Sequence, residues 1–138
     1  MFVNTDSKVI WKNGSYEKWE ESSVHILSHT MHYGTGVFEG VRAYKTDQGP
    51  AIFRLNDHTE RLFKAASKIG IKIPYTQEEL NQVQKDIFVK NDLEEGYLRP
   101  IIFFLLTILM KSLTIKRLML LLKFLVVLIQ AKHILNHH

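Results

Sequence analysis

The stretch His29-Thr30-Met31-His32-Tyr33-Gly34-Thr35-Gly36-Val37-Phe38-Glu39-Gly40-Val41-Arg42-Ala43-Tyr44 decides how this 138-residue chain is read. Glycines at 34, 36 and 40 permit close backbone approach and dihedrals that other residues avoid. The spacing is not a dinucleotide fingerprint, because no strand precedes it in the required way. From Val37 the pattern predicts a strand over Val37–Tyr44. It pairs with a second strand over Ala51–Leu55 through a turn of Asp47, Gln48, Gly49 and Pro50. His29 and His32 stand at i, i+3, a weak metal signal with no third ligand in view. Structural or surface histidines are the better reading, and no metal site is expected.

On the N-terminal side, Lys8–Trp19 alternates around Asn13-Gly14, a strong hairpin signal. On the C-terminal side a helix is expected, with Asn56 or Asp57 as N-cap. Leu62, Ala65, Ala66 and Ile69 form its apolar face and Gly70 is its stop. Thr76 with Glu79 matches a capping box, and Leu80, Val83 and Ile87 follow at helical spacing. Gly96 closes that region and Tyr97–Phe104 reads as a buried strand. The organisation is strand-rich α+β, with no internal repeat.

A compact fold of this length buries roughly two-thirds of its surface, so a core is possible. Apolar residues at 46% and charged residues at 23% exclude a disordered chain. There is no cysteine, which excludes disulfides, zinc ribbons and thiol nucleophiles. The first 25 residues carry Asp6, Lys8, Lys12, Glu17 and Glu20 and hold no apolar signal core, so a cytoplasmic protein is expected. The net charge of +4 is unevenly spread. Met1–Pro100 holds 13 basic and 14 acidic residues, whereas Ile101–His138 holds five basic and none acidic. The high isoelectric point thus belongs to the tail and is no sign of a nucleic-acid surface.

That tail differs in kind. From Ile101 onward there is no Gly, Pro, Asp or Glu, and Leu and Ile supply 17 of 38 positions. Its apolar runs are broken by Lys111, Lys116, Arg117 and Lys123. Even the longest, Leu118–Ala131 counted through Lys123 inside it, has 14 residues, short of the roughly 20 a membrane span needs. A basic amphipathic helix at a membrane surface is a second reading, although apolar residues occur all round it. The preferred reading is an out-of-frame translation, because Leu, Ile, Phe, Lys and Asn are common products of A/U-rich codons.

Two further segments could carry chemistry. In Phe53-Arg54-Leu55-Asn56-Asp57-His58-Thr59-Glu60-Arg61-Leu62, Arg61 is either a surface arginine paired with Asp57 or Glu60, or a guanidinium aimed into a cleft to hold a phosphate. From spacing alone the surface pair is favoured. In Tyr97-Leu98-Arg99-Pro100-Ile101-Ile102-Phe103, period two puts Tyr97 and Arg99 on one face and Leu98 on the other. The pair could bind a carboxylate; a solvated strand end is the alternative. Pro100 limits pairing and suggests an edge or an irregular, site-lining position.

The strings HYGTGVFEGVRAY, FRLNDHTERL and YLRPIIF, taken in this order and with these gaps, resemble the N-terminal part of branched-chain-amino-acid aminotransferases, of the fold-type IV pyridoxal-phosphate family. The likeness runs from about Val3 to Phe104. It implies an α+β small domain over residues 1–104, followed by an unrelated Leu/Ile-rich tail over 105–138, frame-shifted and either disordered or a poorly packed helix. It also implies pyridoxal 5'-phosphate as cofactor and reversible amino-group transfer from leucine, isoleucine or valine to 2-oxoglutarate in a ping-pong cycle. By the same resemblance Arg61 holds the cofactor's phosphate. Tyr33, Phe38 and Tyr97 wall the pocket for the branched side chain, Arg42 lies near the substrate, and Arg99 recognises the distal carboxylate of glutamate. The family is about twice as long, forms homo-oligomers, and carries its Schiff-base lysine in a second domain with no matching motif here. No catalytic residue is therefore assigned, and Lys111, Lys116, Lys123 and Lys132 match no family context. The chain alone is expected to be inactive, with doubtful cofactor binding and no nucleic-acid or membrane partner. The alternatives are one half of a split transaminase, or a membrane-associated or interaction protein that reuses the domain.

Overall fold

A computed structural model describes residues 8–104 and 125–132. Strands β1 (Val9–Lys12) and β2 (Ser15–Lys18) form the expected hairpin, with Lys12 opposite Ser15 and Trp11 opposite Tyr16. The two loop residues, Asn13 and Gly14, take φ of 50° and 95°, the left-handed geometry that an Asn-Gly turn accommodates. A 3-10 turn at Trp19–Glu21 and a short helix α1 (His29–Tyr33) lead to Gly34, whose φ of 65° ends the helix.

The strand expected over Val37–Tyr44 is two strands. β3 (Gly36–Phe38) and β4 (Val41–Thr46) are separated by Glu39-Gly40, and β4 turns through Asp47-Gln48 into β5 (Gly49–Ile52). The following helix α2 spans Leu55–Lys68, so it begins before both expected caps; its N-cap is Arg54, with φ of 47°. Leu62 and Ala66 are buried as anticipated, while Ile69 is exposed and Leu55 and Thr59 turn inward instead. Helix α3 (Gln77–Lys90) opens with the full Thr76–Glu79 capping box. Its buried face is Leu80, Gln84, Ile87 and Phe88.

Strand β6 (Gly96–Phe104) is interior rather than an edge. On one side it pairs with β3 and β4; on the other with β7 (Leu125–Lys132), from Tyr97–Lys132 to Phe104–Leu125. Pro100 survives there because of the break at Glu39-Gly40. Its carbonyl accepts from Glu39 N at 3.0 Å, so its missing N–H would point to the same side, where β3 gives way to β4. The antiparallel sheet runs β2-β1-β7-β6-β4-β5. β7 corrects the expectation of a disordered tail or poorly packed helix for these eight residues. Leu125-Val126-Val127-Leu128-Ile129 is rich in β-branched residues, and β6 and β1 both offer a side for it to pair with. The other tail positions lie outside the described residues, as does the reading of that tail as an out-of-frame product.

The helices cover one face of the sheet. Trp11, Val41, Ala43, Leu98 and Ile102 from the strands meet Leu62, Ala66, Leu80, Ile87 and Phe88 from the helices. Side chains alternate along a strand, so the residues between these point to the opposite face, where Ile10 and Phe103 are buried and Phe38 is exposed. A polar seam fixes α2 on α3: Thr59 Oγ1 donates to Asn81 Oδ1 at 2.5 Å and accepts from Gln84 Nε2 at 3.0 Å. Asn91, just past α3, clamps β1. Its Oδ1 accepts from Lys8 N and Val9 N at 2.7 and 2.9 Å, and its Nδ2 donates to Val9 O at 2.9 Å.

Candidate functional site

The sheet face away from α2 and α3 gathers four of the predicted site residues. Arg42 stands opposite Tyr97, and Phe38 opposite Ile101, so Phe38, Arg42, Tyr97 and Arg99 share that face. The Arg99 guanidinium lies 4.6 Å from the centre of the Phe38 ring and 5.1 Å from that of Tyr97. Arg99 Nη2 donates to Tyr97 Oη at 3.1 Å. A cation held between two aromatic rings, with a phenol on one of its hydrogens, can meet a carboxylate while the rings offer apolar surface. Phe38 is 63% exposed, so this surface is open. Arg42 stacks on Tyr44 instead, 5.0 Å from its ring centre.

Gly40 makes the arrangement possible. A Cβ placed there would lie 2.0 Å from Tyr97 Oη, so no side chain fits while Tyr97 stays in place. Tyr33 belongs to a different cluster: its ring sits 4.6 Å from that of His29 and 6.2 Å from that of His32. His29 Nδ1 bonds Thr35 Oγ1, and His32 Nε2 meets Ile26 O at 3.1 Å. Among the described residues, no group of three or more His, Cys, Asp or Glu is placed to hold a metal.

Arg61 takes neither of the partners that spacing favours. Asp57 is bonded by Arg54 Nε at 2.5 Å, and Glu60 by Lys64 at 2.6 Å. Arg61 instead reaches Glu39, 22 residues back, with Nε on Oε1 at 2.5 Å and Nη2 on Oε2 at 2.6 Å. His58 Nδ1 lies 3.1 Å from the same carboxylate. Glu39 is buried at 6% exposure, while the Arg61 side chain is 66% exposed. The Arg61 hydrogen bonds hold the Glu39 carboxyl below the usual carboxylate range, against the upward push of burial, and His58 adds to the lowering. The same bond raises Arg61 further above its ordinary value. Arg61 and His58 face a cleft of about 390 Å³ whose other lining residues are Phe53, Arg54 and Asp57.

The two half-sites are joined by adjacent residues. Phe38 stacks on Arg99 on the face away from α2 and α3, and Glu39 turns the other way to hold Arg61 and His58 on α2. Glu39, His58 and Gly40 all lie within the quoted motifs, yet spacing could not single them out. Their roles come from contacts across 19 to 22 residues for the first two, and from Tyr97 filling the space beside the third.

Residues 36–108 match the family pattern described as amino-transferase class IV. The branched-chain-amino-acid aminotransferase of Pseudomonas aeruginosa is 49% identical over 96 residues, covering 70% of this chain and 31% of that protein. The Escherichia coli K12 enzyme of the same name is 42% identical over 94 residues, covering 68% of this chain and 30% of its own length. The chain thus spans about a third of the length of these curated relatives. Among solved structures, the Escherichia coli branched-chain amino acid aminotransferase superposes with a TM-score of 0.80 at 32% identity, over 93% of this chain and 40% of the other. The T.th. enzyme of that name, complexed with N-(5'-phosphopyridoxyl)-L-glutamate, also gives 0.80, at 36% identity, over 93% of this chain and 41% of its own.

Proposed function

Because the chain belongs to the amino-transferase class IV family, we propose that it forms the anion-holding and side-chain-recognising wall of a branched-chain-amino-acid aminotransferase site. The observation that carries this is the Phe38-Glu39 junction, which sets an aromatic-flanked arginine and a cleft-facing arginine on neighbouring surfaces. The names of the relatives and the phosphopyridoxyl-glutamate in the T.th. complex support the substrate class and the cofactor.

The residues present fit the phosphate end of pyridoxal 5'-phosphate. Arg61 is exposed, permanently charged and fixed in direction at a cleft. Bound there, the cofactor supplies the electron sink for amino-group transfer. Arg61 and His58 orient its phosphate. Phe38 and Tyr97 give apolar walls for a leucine, isoleucine or valine side chain. Arg99, carried on those rings, meets the second carboxylate of glutamate, so one surface serves both partners of a ping-pong cycle. Arg42 borders the same face. Tyr33, exposed beside His29, is kept as a further apolar wall from the family resemblance. Among the described residues that line the cleft there is no lysine. With the Schiff-base lysine placed by the family resemblance in a second domain, the chain on this reading binds and orients without completing transfer by itself.

The test is a titration of the chain with pyridoxal 5'-phosphate and with pyridoxal, which lacks the phosphate. The phosphate ester binds more tightly, and Arg61→Ala removes the difference. Leucine with 2-oxoglutarate gives no turnover. A preference indifferent to Arg61, or conversion of leucine to its keto acid by the chain alone, overturns the reading.

A further inference from the structure

The fork of Arg61 is already occupied inside the protein. Nε and Nη2 both donate to Glu39 and Nη2 also lies 3.4 Å from His58 Nδ1, so an outside anion meets chiefly the Nη1 hydrogens. An incoming phosphate therefore docks against the outer end of the guanidinium, in a direction that Glu39 dictates. Resting on the assignment of Arg61 to the cofactor phosphate, we propose that Glu39 is the positioning residue of this anion site. Its buried carboxylate holds Arg61, with His58 beside it, in the one pose that faces the cleft.

Two effects of the carboxylate compete. Its negative charge opposes a phosphate, and its two bonds order an arginine that would otherwise sample many rotamers. The charge effect is small, because the Arg61 side chain stands mostly in water, where screening is strong, and His58 shares the same carboxylate. Orientation is not screened. Charge-assisted bonds at both oxygens also fix the plane of the guanidinium, which a single contact could not do. Ordering outweighs repulsion, and losing Glu39 weakens the grip on a phosphate.

The experiment uses the whole chain and reads binding rather than turnover. The preference for pyridoxal 5'-phosphate over pyridoxal is measured for the parent, Glu39→Gln and Arg61→Ala. Glu39→Gln is expected to lower that preference about 10-fold, and Arg61→Ala to abolish it. If Arg61→Ala abolishes it while Glu39→Gln leaves it unchanged or raises it, the positioning role fails and the phosphate reading stands. If Arg61→Ala changes nothing, the phosphate reading fails and takes the positioning role with it. A measurement on the unaltered chain guards against a variant that does not fold. The Arg61 Nε–H, followed by nitrogen-15 NMR, is expected to exchange slowly with solvent and to stay protected as pyridoxal 5'-phosphate saturates. Exchange that accelerates on saturation makes Glu39 a competitor of the phosphate and overturns the proposal.

Discussion

Tyr97 lies over Gly40 so closely that a single methyl group on the glycine would stand 2.0 Å from the phenol oxygen. The main chain of β6 cannot yield, because it is paired on both sides. Gly40→Ala must therefore swing the Tyr97 ring away and break its bond to Arg99. Overpacking of this kind costs about 1–3 kcal/mol. Chemical denaturation should show that loss, while Tyr97→Phe in the same assay should lose less. An unchanged midpoint for Gly40→Ala would show that the Tyr97 ring swings aside at little cost and that its bond to Arg99 adds little stability.

Leu98 is fully buried where β6 faces the helices, one residue from Tyr97 but on the opposite face. Leu98→Ala should cost about 2–5 kcal/mol through lost burial and the cavity left behind. For a domain of this size that is a large share of total stability. Thermal unfolding would measure it.

Asn91 satisfies both the N–H and the carbonyl of Val9 as well as the N–H of Lys8. Asn91→Ala leaves those groups without their partner at the edge of the core, a loss of about 3 kcal/mol. The β1–β2 hairpin should loosen first, which hydrogen exchange at Val9–Lys18 would reveal as faster exchange than in α2.

Acid should act through Glu39. Its carboxyl titrates below the ordinary range in the folded chain, so the folded state releases that proton more readily than the unfolded one. The stabilisation is complete above the unfolded value of about 4.3 and is lost as pH falls through the lower folded value. The difference in urea midpoint between the parent and Glu39→Gln should hold from neutral pH to about 5 and shrink below about 4. A difference independent of pH over that span would remove the Arg61 ion pair as its source.

Ile129 pairs with Trp11 on one side and Pro100 on the other, so it stands where β7 ties the hairpin to the rest of the sheet. Ile129→Pro removes an interior N–H and should detach β1. In a Trp19→Phe background the emission of Trp11, buried at 4% exposure, should shift to the red. No shift would mean that β1 does not depend on β7.

Local signals were legible wherever a few neighbouring residues decide the outcome. Asn13-Gly14 dictated a hairpin, and Thr76 with Glu79 dictated a helix start, since each acts through its own backbone. Period two put Tyr97 and Arg99 on one face and Leu98 on the other, which the burial of Leu98 bears out. The start of α2 was misplaced because no cap residue marks it: Arg54 sits at the N-cap with a positive φ and no capping hydrogen bond from its side chain. Pro100 left an edge and an irregular, site-lining position both open, and the structure takes the second, because proline's tolerance there depends on a gap in a different strand.

The sequence alone determined the hairpins, the existence of α2 and the start of α3, the faces of β6 and the family likeness, because propensity, capping and alternation act over a few residues. Only the tertiary structure decided which carboxylate holds Arg61, which rings carry Arg99, why position 40 admits no side chain, and that Leu125–Lys132 completes the sheet. Those outcomes depend on distance through space between residues far apart in the chain, and a buried charge takes the partner that packing brings to it rather than the nearest one along the backbone.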